Sequence, residues 1–152
     1  MKKSTLLVLL SGLVLLSCKK DDDPGIPNPP VSIIPHISIS SISSSSVQEY
    51  RDSLIIHLGY RDGDGDLGFS SADTMSLYVT DNRKGLTESY HVPPLAPQGA
   101  AIAMQGTLKL MLRLAKFNND GQTEETTLTI KLRDRAGHWS NEVVSQAIQV
   151  VP

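Results

Sequence analysis

Cysteine is nearly absent from this chain, and the single one, Cys18, lies close to the N-terminus. One cysteine excludes an internal disulfide framework and a zinc site built from several thiolates. An excess of positive charge is also lacking, because 14 lysines and arginines stand against 16 aspartates and glutamates, for a net charge of −2. Since binding to nucleic acid depends on a basic surface, we expect no nucleic-acid partner.

Long hydrophobic runs are lacking as well. The apolar segment Leu6–Leu16 follows two lysines and is too short to span a bilayer, which is typical of a secretory signal. It ends in Leu15-Leu16-Ser17-Cys18, which resembles the lipobox of bacterial lipoproteins, in which a lipidated cysteine becomes the new N-terminus. We therefore predict a signal peptide at residues 1–17 and a covalent lipid, palmitate among its acyl chains, on Cys18. The alternative is an ordinary cleaved signal followed by an unmodified cysteine.

Residues 18–31 are predicted to form a tether. The segment Lys19-Lys20-Asp21-Asp22-Asp23 resembles the acidic signal that sends Bacteroidota lipoproteins to the cell surface, and a solvated charged spacer is the alternative. Four prolines between residues 24 and 30 disfavour helix and sheet. At about 3.1 Å per residue, such a tether would reach roughly 40 Å from the lipid. We expect an outer-membrane protein, lipid-anchored and exposed at the cell surface, with a periplasm-facing position as the alternative.

Alternation of apolar and polar residues predicts strands over residues 32–152 and gives no convincing helix. The alternating segments lie near residues 33–41, 54–59, 75–80, 87–91, 108–114, 128–133 and 144–150. Between them we expect a serine-rich loop at 40–46, at most a helical turn at 100–104, and a hairpin formed by the last two segments. Six or seven short strands predict an all-β domain, an antiparallel β-sandwich of immunoglobulin or fibronectin III type, with an open barrel as the alternative.

The most distinctive segment is the acidic loop Tyr60–Phe69, in which Asp62, Asp64 and Asp66 alternate with glycines. Carboxylates this close repel one another unless a cation or water screens them, and calcium (Ca²⁺) suits irregular loops rich in aspartate and glycine. Counted from Asp62, the aspartates fall at the first, third and fifth positions of an EF-hand loop, and Asp73 at the twelfth. The fit is partial, because the sixth position is Leu67 instead of glycine and no flanking helices are predicted.

A second loop is predicted to lie at the same end of the domain. In an immunoglobulin-type sandwich the loops at 61–73 and 134–141 would be neighbours, so Asp134 becomes a further candidate metal ligand. Two alternatives stay open. In the first, the acidic turn is free of metal and is held by water and by arginines. In the second, Asp134 and Gly137 serve only as the first and last residues of a type I turn. The arginines in question are Arg61, Arg133 and Arg135.

Trp139, Phe69 and Tyr60 are expected near this loop end. Partly exposed aromatic rings beside polar groups stack on a sugar or a protein partner, whereas the alternative is that they cap the core.

No catalytic constellation is evident. The histidines have no zinc-like spacing, and the segment Gly68–Ala72 lacks the second glycine of a nucleophile elbow. Phosphate-binding and dinucleotide fingerprints are also missing. We therefore expect a protein that is not an enzyme, with a metal-dependent hydrolase as a third possibility. The four histidines are His36, His57, His91 and His138.

Two longer segments, Tyr60–Gly68 and Leu132–Asn141, together with Cys18, resemble a family of Bacteroidota lipoproteins that share a DGDGDLG loop and a later DRAG-type loop. The resemblance implies a β-sandwich lipoprotein at the cell surface or in the periplasm, and it implies no activity. We expect a membrane-anchored binding or accessory module, stabilised by calcium, that meets an envelope protein or a glycan. A structural spacer or a subunit of an envelope complex is the alternative.

Overall fold

The computed structural model describes residues 31–152. The predicted signal peptide, Cys18 and all but the last residue of the predicted tether lie outside the described residues. No helix within 31–152 is long and apolar enough to cross a membrane. This part of the chain forms ten strands and no helix. The strands are β1 His36–Ile42, β2 Ser46–Gln48, β3 Leu54–Asp62, β4 Leu77–Asp81, β5 Leu86–Tyr90, β6 Met104–Leu112, β7 Glu124–Thr126, β8 Leu128–Leu132, β9 Val143–Val144 and β10 Ile148–Val151.

The strands form three sheets, whose strand orders are β1-β3-β6, β5-β4-β8-β9 and β2-β10-β7. Every pair is antiparallel except β2 with β10, which run parallel. The predicted all-β architecture of antiparallel sheets is confirmed, and it fits a β-sandwich. The finer assignment to the immunoglobulin or fibronectin III type stays a prediction.

A single hydrophobic core lies between the sheets, and alternate residues of the strands fill it. Leu54, Ile56 and Leu58 of β3 are fully buried, and so are Ile130 and Leu132 of β8. The residues between them are only partly buried. This period of two is the one that the sequence displays, which is why the central strands could be predicted.

The serine-rich segment is more regular than predicted. β1 continues through Ser40 and Ser41 to Ile42, and β2 begins at Ser46, so the expected loop at 40–46 is wrong at both ends. The register of β1 against β3 shifts between Ile39 and Ser41, which marks a bulge. β3 satisfies the backbone hydrogen bonds of β1 whatever side chains β1 carries. The serines therefore form a strand without alternating apolar residues.

The predicted hairpin between the last two segments is wrong for most of its length. β8 pairs with β9 only at Val143 and Val144, and β10 then joins the other edge of the fold, beside β7 and β2. Ser145 ends the β8–β9 ladder because its buried hydroxyl accepts the N–H of Leu128 at 2.9 Å. No helical turn forms at residues 100–103, and Met104 begins β6.

The topology brings two loops to one end of the domain. β3 ends at Asp62, which is paired with Met104 at the start of β6. β8 ends at Leu132, and the next residue, Arg133, donates its N–H to the carbonyl of Ser76 at 2.8 Å. The loop after β3 and the loop after β8 meet at this end of the domain, where Arg135 donates its N–H to the carbonyl of Asp66 at 3.2 Å.

Candidate metal centre

Three carboxylates converge where these loops meet. One oxygen from each of Asp62, Asp66 and Asp134 lies within 4.8 Å of the other two. Asp62 and Asp134 are fully buried, and Asp66 is half-buried. Burying aspartates this completely is costly unless hydrogen bonds or a cation compensate, so these three residues are the candidate metal site of the described chain.

The acidic loop owes its conformation to the side chain of its first aspartate and to its glycines. Asp62 Oδ2 accepts the N–H of Asp66 at 3.0 Å, which closes a tight turn. Gly65 and Gly68 have φ values of 74° and 83°, in the left-handed region that favours glycine. A Cβ on Gly68 would lie 2.1 Å from the carbonyl oxygen of Pro93, so a larger residue has no room there. The glycines thus allow the loop to pack closely against the chain around it.

The second loop holds Asp134 from both sides. Asp134 Oδ1 accepts the N–H of His138 at 2.7 Å, and Asp134 Oδ2 lies 2.9 Å from His138 Nδ1. The N–H of Gly137 lies 3.4 Å from the Asp134 carbonyl, in agreement with the predicted turn between these residues. A carboxylate has about four lone-pair directions, so Asp134 keeps acceptor capacity for a cation after these contacts.

Direct hydrogen bonds join the two loops. Ala136 donates its N–H to Asp66 Oδ2 at 2.9 Å, and Arg135 donates its N–H to the Asp66 carbonyl at 3.2 Å. The guanidinium of Arg135 donates to the carbonyl oxygens of Gly65 at 3.2 Å and Gly68 at 2.9 Å. Arg135 therefore fixes the backbone of the acidic loop.

The alternative of a metal-free turn held by arginines and water stays open. The guanidinium of Arg135 is hydrogen-bonded to carbonyl oxygens of the acidic loop, and its charge opposes the rise in the pKa of Asp66 that burial causes. Arg133 lies 5.7 Å from the ring centroid of Trp139, and Arg61 is exposed. Within residues 31–152 no arginine forms a direct ion pair with Asp62, Asp66 or Asp134. Arg135 therefore offsets only part of the negative charge of the centre.

Several carboxylate oxygens in the acidic loop are buried without a hydrogen-bond partner among the described residues. They are Asp62 Oδ1, Asp64 Oδ1 and Asp66 Oδ1. Buried polar atoms in folded proteins are nearly always paired with another group, water or an ion. Three such oxygens in one loop are acceptors able to contact a cation or ordered water.

Burial disfavours the charged form of two of these aspartates. Burial raises the pKa of Asp62 above its ordinary value of 3.8, and the charges of Asp64 and Asp66 add to the effect, against a hydrogen bond from the Asp66 N–H. Burial also raises the pKa of Asp66, helped by the charges of Asp134 and Asp64 and opposed by the Ala136 N–H and by the charge of Arg135. A cation at the centre would relieve both the burial cost and the repulsion.

The remaining predicted ligands divide into two cases. Asp64 is outside the group of three, but it lies close enough for its charge to raise the pKa of both Asp62 and Asp66. Asp73 is exposed and is also outside the group. The turn in which Thr74 donates its N–H to Ser71 at 3.1 Å lies after the acidic loop and leads into β4. The partial EF-hand spacing therefore does not describe the converging residues, because the third carboxylate comes from Asp134.

The predicted aromatic trio does not form a cluster. Trp139 is 42% exposed, and the ring that it contacts is Tyr78, with centroids 5.2 Å apart. Tyr60 lies against Gly106, which faces it across the β3–β6 ladder, and Phe69 is half-buried and donates its N–H to Val92. No signal in the sequence pairs Tyr78 with Trp139. In the structure Tyr78 lies opposite Lys131, whose ammonium is 4.9 Å from the Trp139 ring centroid, so the three side chains share one face of the sheet.

Two pairs that each contain one histidine resemble fragments of catalytic sites, and each lacks the third group of such a site within residues 31–152. His57 Nδ1 lies 3.0 Å from Ser41 Oγ, but no carboxylate is hydrogen-bonded to this imidazole. Asp134 orients His138, but no serine or cysteine is hydrogen-bonded to that ring. The sequence predicts for His138 only a place in a loop, and its position four residues after Asp134 is the signal for its capping contact.

No protein-family model, curated protein or solved structure matches this chain. The resemblance to Bacteroidota lipoproteins, carried by the acidic loop and the Leu132–Asn141 segment, stays a prediction.

Proposed function

We propose that this chain is a lipid-anchored protein of the cell envelope whose β-sandwich binds a partner and is stabilised by one calcium ion. The observation that carries the proposal is the convergence of Asp62, Asp66 and Asp134, in which one buried oxygen of Asp62 and one of Asp66 have no hydrogen-bond partner among the described residues. The anchor is the predicted lipid on Cys18, and the surface of the outer membrane is the expected location.

Calcium is the cation that suits these donors best. The centre offers carboxylate oxygens, and its one histidine is occupied in orienting Asp134. Hard oxygen donors select calcium or magnesium over zinc and copper. Calcium takes six to eight oxygens and tolerates irregular loops, whereas magnesium demands nearly ideal octahedral geometry. Asp64, backbone carbonyls and water would supply the ligands that three aspartates cannot.

The proposed role of the ion is to hold the two loops together, so that the loop end of the domain presents a fixed surface. In this account the protein is a binding module and not an enzyme, because neither the Ser41–His57 pair nor the Asp134–His138 pair has the third group of a catalytic site. The partner is an envelope protein or a glycan, and the exposed ring of Trp139, packed edge-on against the half-buried Tyr78, is the aromatic surface available to it.

Isothermal titration of residues 19–152 with calcium tests the metal proposal. We expect saturable heat for one site and a rise in melting temperature, both abolished in Asp62→Asn and in Asp134→Asn. Asp73→Asn is the matched control, since it removes an exposed carboxylate of the same segment and should bind calcium like the parent. Absence of heat and of any change in melting temperature at millimolar calcium would end the metal proposal.

The partner and the anchor need separate experiments. Mass spectrometry of the protein extracted from outer membranes should find acyl chains on Cys18, and Cys18→Ser should release the protein from the membrane fraction. Pull-down from detergent-solubilised membranes distinguishes the binding module from the alternative of an envelope subunit. A subunit retains stable protein partners, whereas a glycan-binding module is eluted by free sugar.

A further inference from the structure

Exposed aliphatic side chains gather at the end of the domain where the described chain begins. Val31 is 46% exposed, Ile33 and Ile34 are each 52% exposed, and Ile102 is 54% exposed. These four residues are called the aliphatic rim below. Single exposed apolar residues are ordinary on protein surfaces, but a group of them at one end marks an interaction surface.

The register of the first sheet places the members of the aliphatic rim together. β1 begins at His36, opposite Arg61, and β6 begins at Met104, opposite Asp62. The segments that lead into β1 and β6 therefore flank the end of β3, one on each side. Residues 31–34 belong to the first segment, and Ile102 to the second.

Contacts with the acidic loop bring the two segments closer still. A Cβ on Gly63 would lie 2.2 Å from the carbonyl oxygen of Val31, and one on Gly65 would lie 2.7 Å from that of Ile102. Because these glycines are two residues apart, their Cα atoms are separated by at most about 7.6 Å. The rim and the candidate metal centre therefore share one end of the domain.

The chain that precedes the rim limits what can cover it. Val31 is the first described residue, and in the proposed function Cys18 is held in the bilayer. The segment between them spans at most roughly 47 Å even when it is fully extended. The rim is thus the part of the domain from which the tether leaves, and it cannot move far from the lipid surface.

We infer that the aliphatic rim docks on the surface of the lipid bilayer that carries the anchor. The inference rests on the proposed lipidation of Cys18. Aliphatic side chains partition into the boundary between headgroups and acyl chains, and a short tether gives the docking a high effective concentration. The exposed guanidinium of Arg61, beside the rim, suits anionic headgroups.

Calcium would favour docking of the same end. Asp62, Asp64 and Asp66 lie next to the rim, and their charges repel anionic lipid when no cation is bound. A calcium ion at the centre neutralises much of this charge. The bilayer-facing state is therefore expected to be more populated with calcium than with a chelator.

Site-directed fluorescence on the lipidated full chain tests the inference. In the proposed function the thiol of Cys18 is occupied by lipid, so a second cysteine can be labelled alone with a dye that is sensitive to polarity. Ile33→Cys and Ile102→Cys report from the rim. Met111→Cys and Val144→Cys are matched controls, because both residues are exposed and lie on other parts of the surface, Met111 near the opposite end of the β3–β6 ladder and Val144 in β9.

After reconstitution into vesicles of phosphatidylethanolamine and phosphatidylglycerol, the dyes on the rim should emit at shorter wavelength and be quenched by lipids brominated on their acyl chains. The control dyes should keep the emission of an aqueous environment. Aqueous emission from all four positions overturns the inference. An equal blue shift at the rim in vesicle-free Cys18→Ser protein also overturns it, because another copy of the chain is then the cover.

Failure of the proposed function is recognised separately. The mass of the purified chain reports the acyl chains before reconstitution, and calcium titration reports the metal. A chain without acyl groups overturns both the anchor and the docking. A lipidated chain that binds calcium, yet leaves the rim in water, overturns the docking alone.

Discussion

Asp62 and Asp134 bring carboxylate oxygens to within 4.8 Å of each other, although Asp62 ends β3 in one sheet and Asp134 follows β8 in the other. Both side chains are fully buried. The pair therefore lies where the β1-β3-β6 and β5-β4-β8-β9 sheets meet at one end of the domain, and whatever stabilises the charges of these two residues also stabilises the junction.

Replacement of Asp62 by asparagine should change stability in opposite directions with and without calcium. Without metal, Asp62→Asn removes one buried charge and should raise the free energy of unfolding by about 1 kcal/mol, since a neutral amide can donate to a neighbouring carboxylate. With calcium, the parent gains about 2.7 kcal/mol at a concentration one hundred times its Kd, and the variant does not. Chemical denaturation in calcium and in chelator measures both differences. Equal effects of calcium on the two proteins would contradict the assignment.

Trp139 should report metal binding. It is the one tryptophan of the chain, and it directly follows His138, whose N–H and ring contact Asp134. Terbium, which replaces calcium in oxygen sites, should therefore give luminescence on excitation of tryptophan. We expect Trp139→Phe and Asp134→Asn each to abolish this emission, and Tyr78→Phe to keep it. Undiminished emission from Asp134→Asn would place the ion elsewhere.

Gly68 should be the glycine of the acidic loop that tolerates substitution least. A Cβ there would meet the Pro93 carbonyl oxygen at 2.1 Å, and its φ of 83° disfavours other residues. Gly68→Ala is expected to lower the free energy of unfolding by about 3 kcal/mol, from backbone strain and overpacking together. Gly85→Ala is the control, because its φ of 66° is similar but nothing lies within 4 Å of the added Cβ. It should cost only about 1 kcal/mol, so similar losses in urea denaturation would argue against the close packing.

A network far from the metal centre should govern acid stability. Arg83 donates from Nε to Asp81 Oδ1 at 3.0 Å and from Nη1 to Glu124 Oε2 at 2.7 Å. Burial alone would raise the pKa of Asp81, but hydrogen bonds from Arg83 and Thr126 outweigh it and hold the pKa below 3.8. The N–H of Phe117, followed by further hydrogen bonds, lowers the pKa of Glu124 below 4.5.

The lowered pKa values of Asp81 and Glu124 determine how the free energy of unfolding changes with pH. A carboxyl group whose pKa is lower in the folded chain stabilises the fold above its unfolded pKa, and this contribution is lost as the pH falls through the folded value. The free energy of unfolding should therefore decline as the pH drops below the ordinary values of 4.5 and 3.8. Glu124→Gln and Asp81→Asn should flatten that decline, whereas Glu142→Gln, in an exposed ion pair with Lys131, should leave it unchanged. Parallel pH profiles for all four proteins would refute the assignment.

The sequence predicted the central strands well because their alternation is a direct consequence of burial. Leu54, Ile56 and Leu58, and likewise Leu128, Ile130 and Leu132, point into the core, and the predicted strands begin where β3 and β8 begin. β3 is longer than predicted, because it continues to Asp62 through residues that were expected in the acidic loop. β7, with the sequence Glu-Glu-Thr, has no such pattern and was missed. Its strand depends on pairing with β10, which the local sequence does not encode.

The candidate site was predicted in part for the same reason. The acidic loop is visible as a motif, and Asp134 was named because loops at one end of a sandwich are neighbours. EF-hand spacing along the chain predicts Asp73 as a ligand, whereas the third carboxylate of the converging group is Asp134, from across the fold. The side chain of Arg135 contacts the backbone carbonyls of Gly65 and Gly68. Every residue has a carbonyl, so the pattern of side chains in the sequence cannot reveal which ones an arginine contacts.

A crystal structure of residues 19–152 grown in calcium, with anomalous difference density measured at a long wavelength, tests the central claim most directly. The account predicts one peak bonded to an oxygen from each of Asp62, Asp66 and Asp134 at about 2.3–2.6 Å. Density for water alone between these carboxylates, with no anomalous peak at saturating calcium, would contradict it.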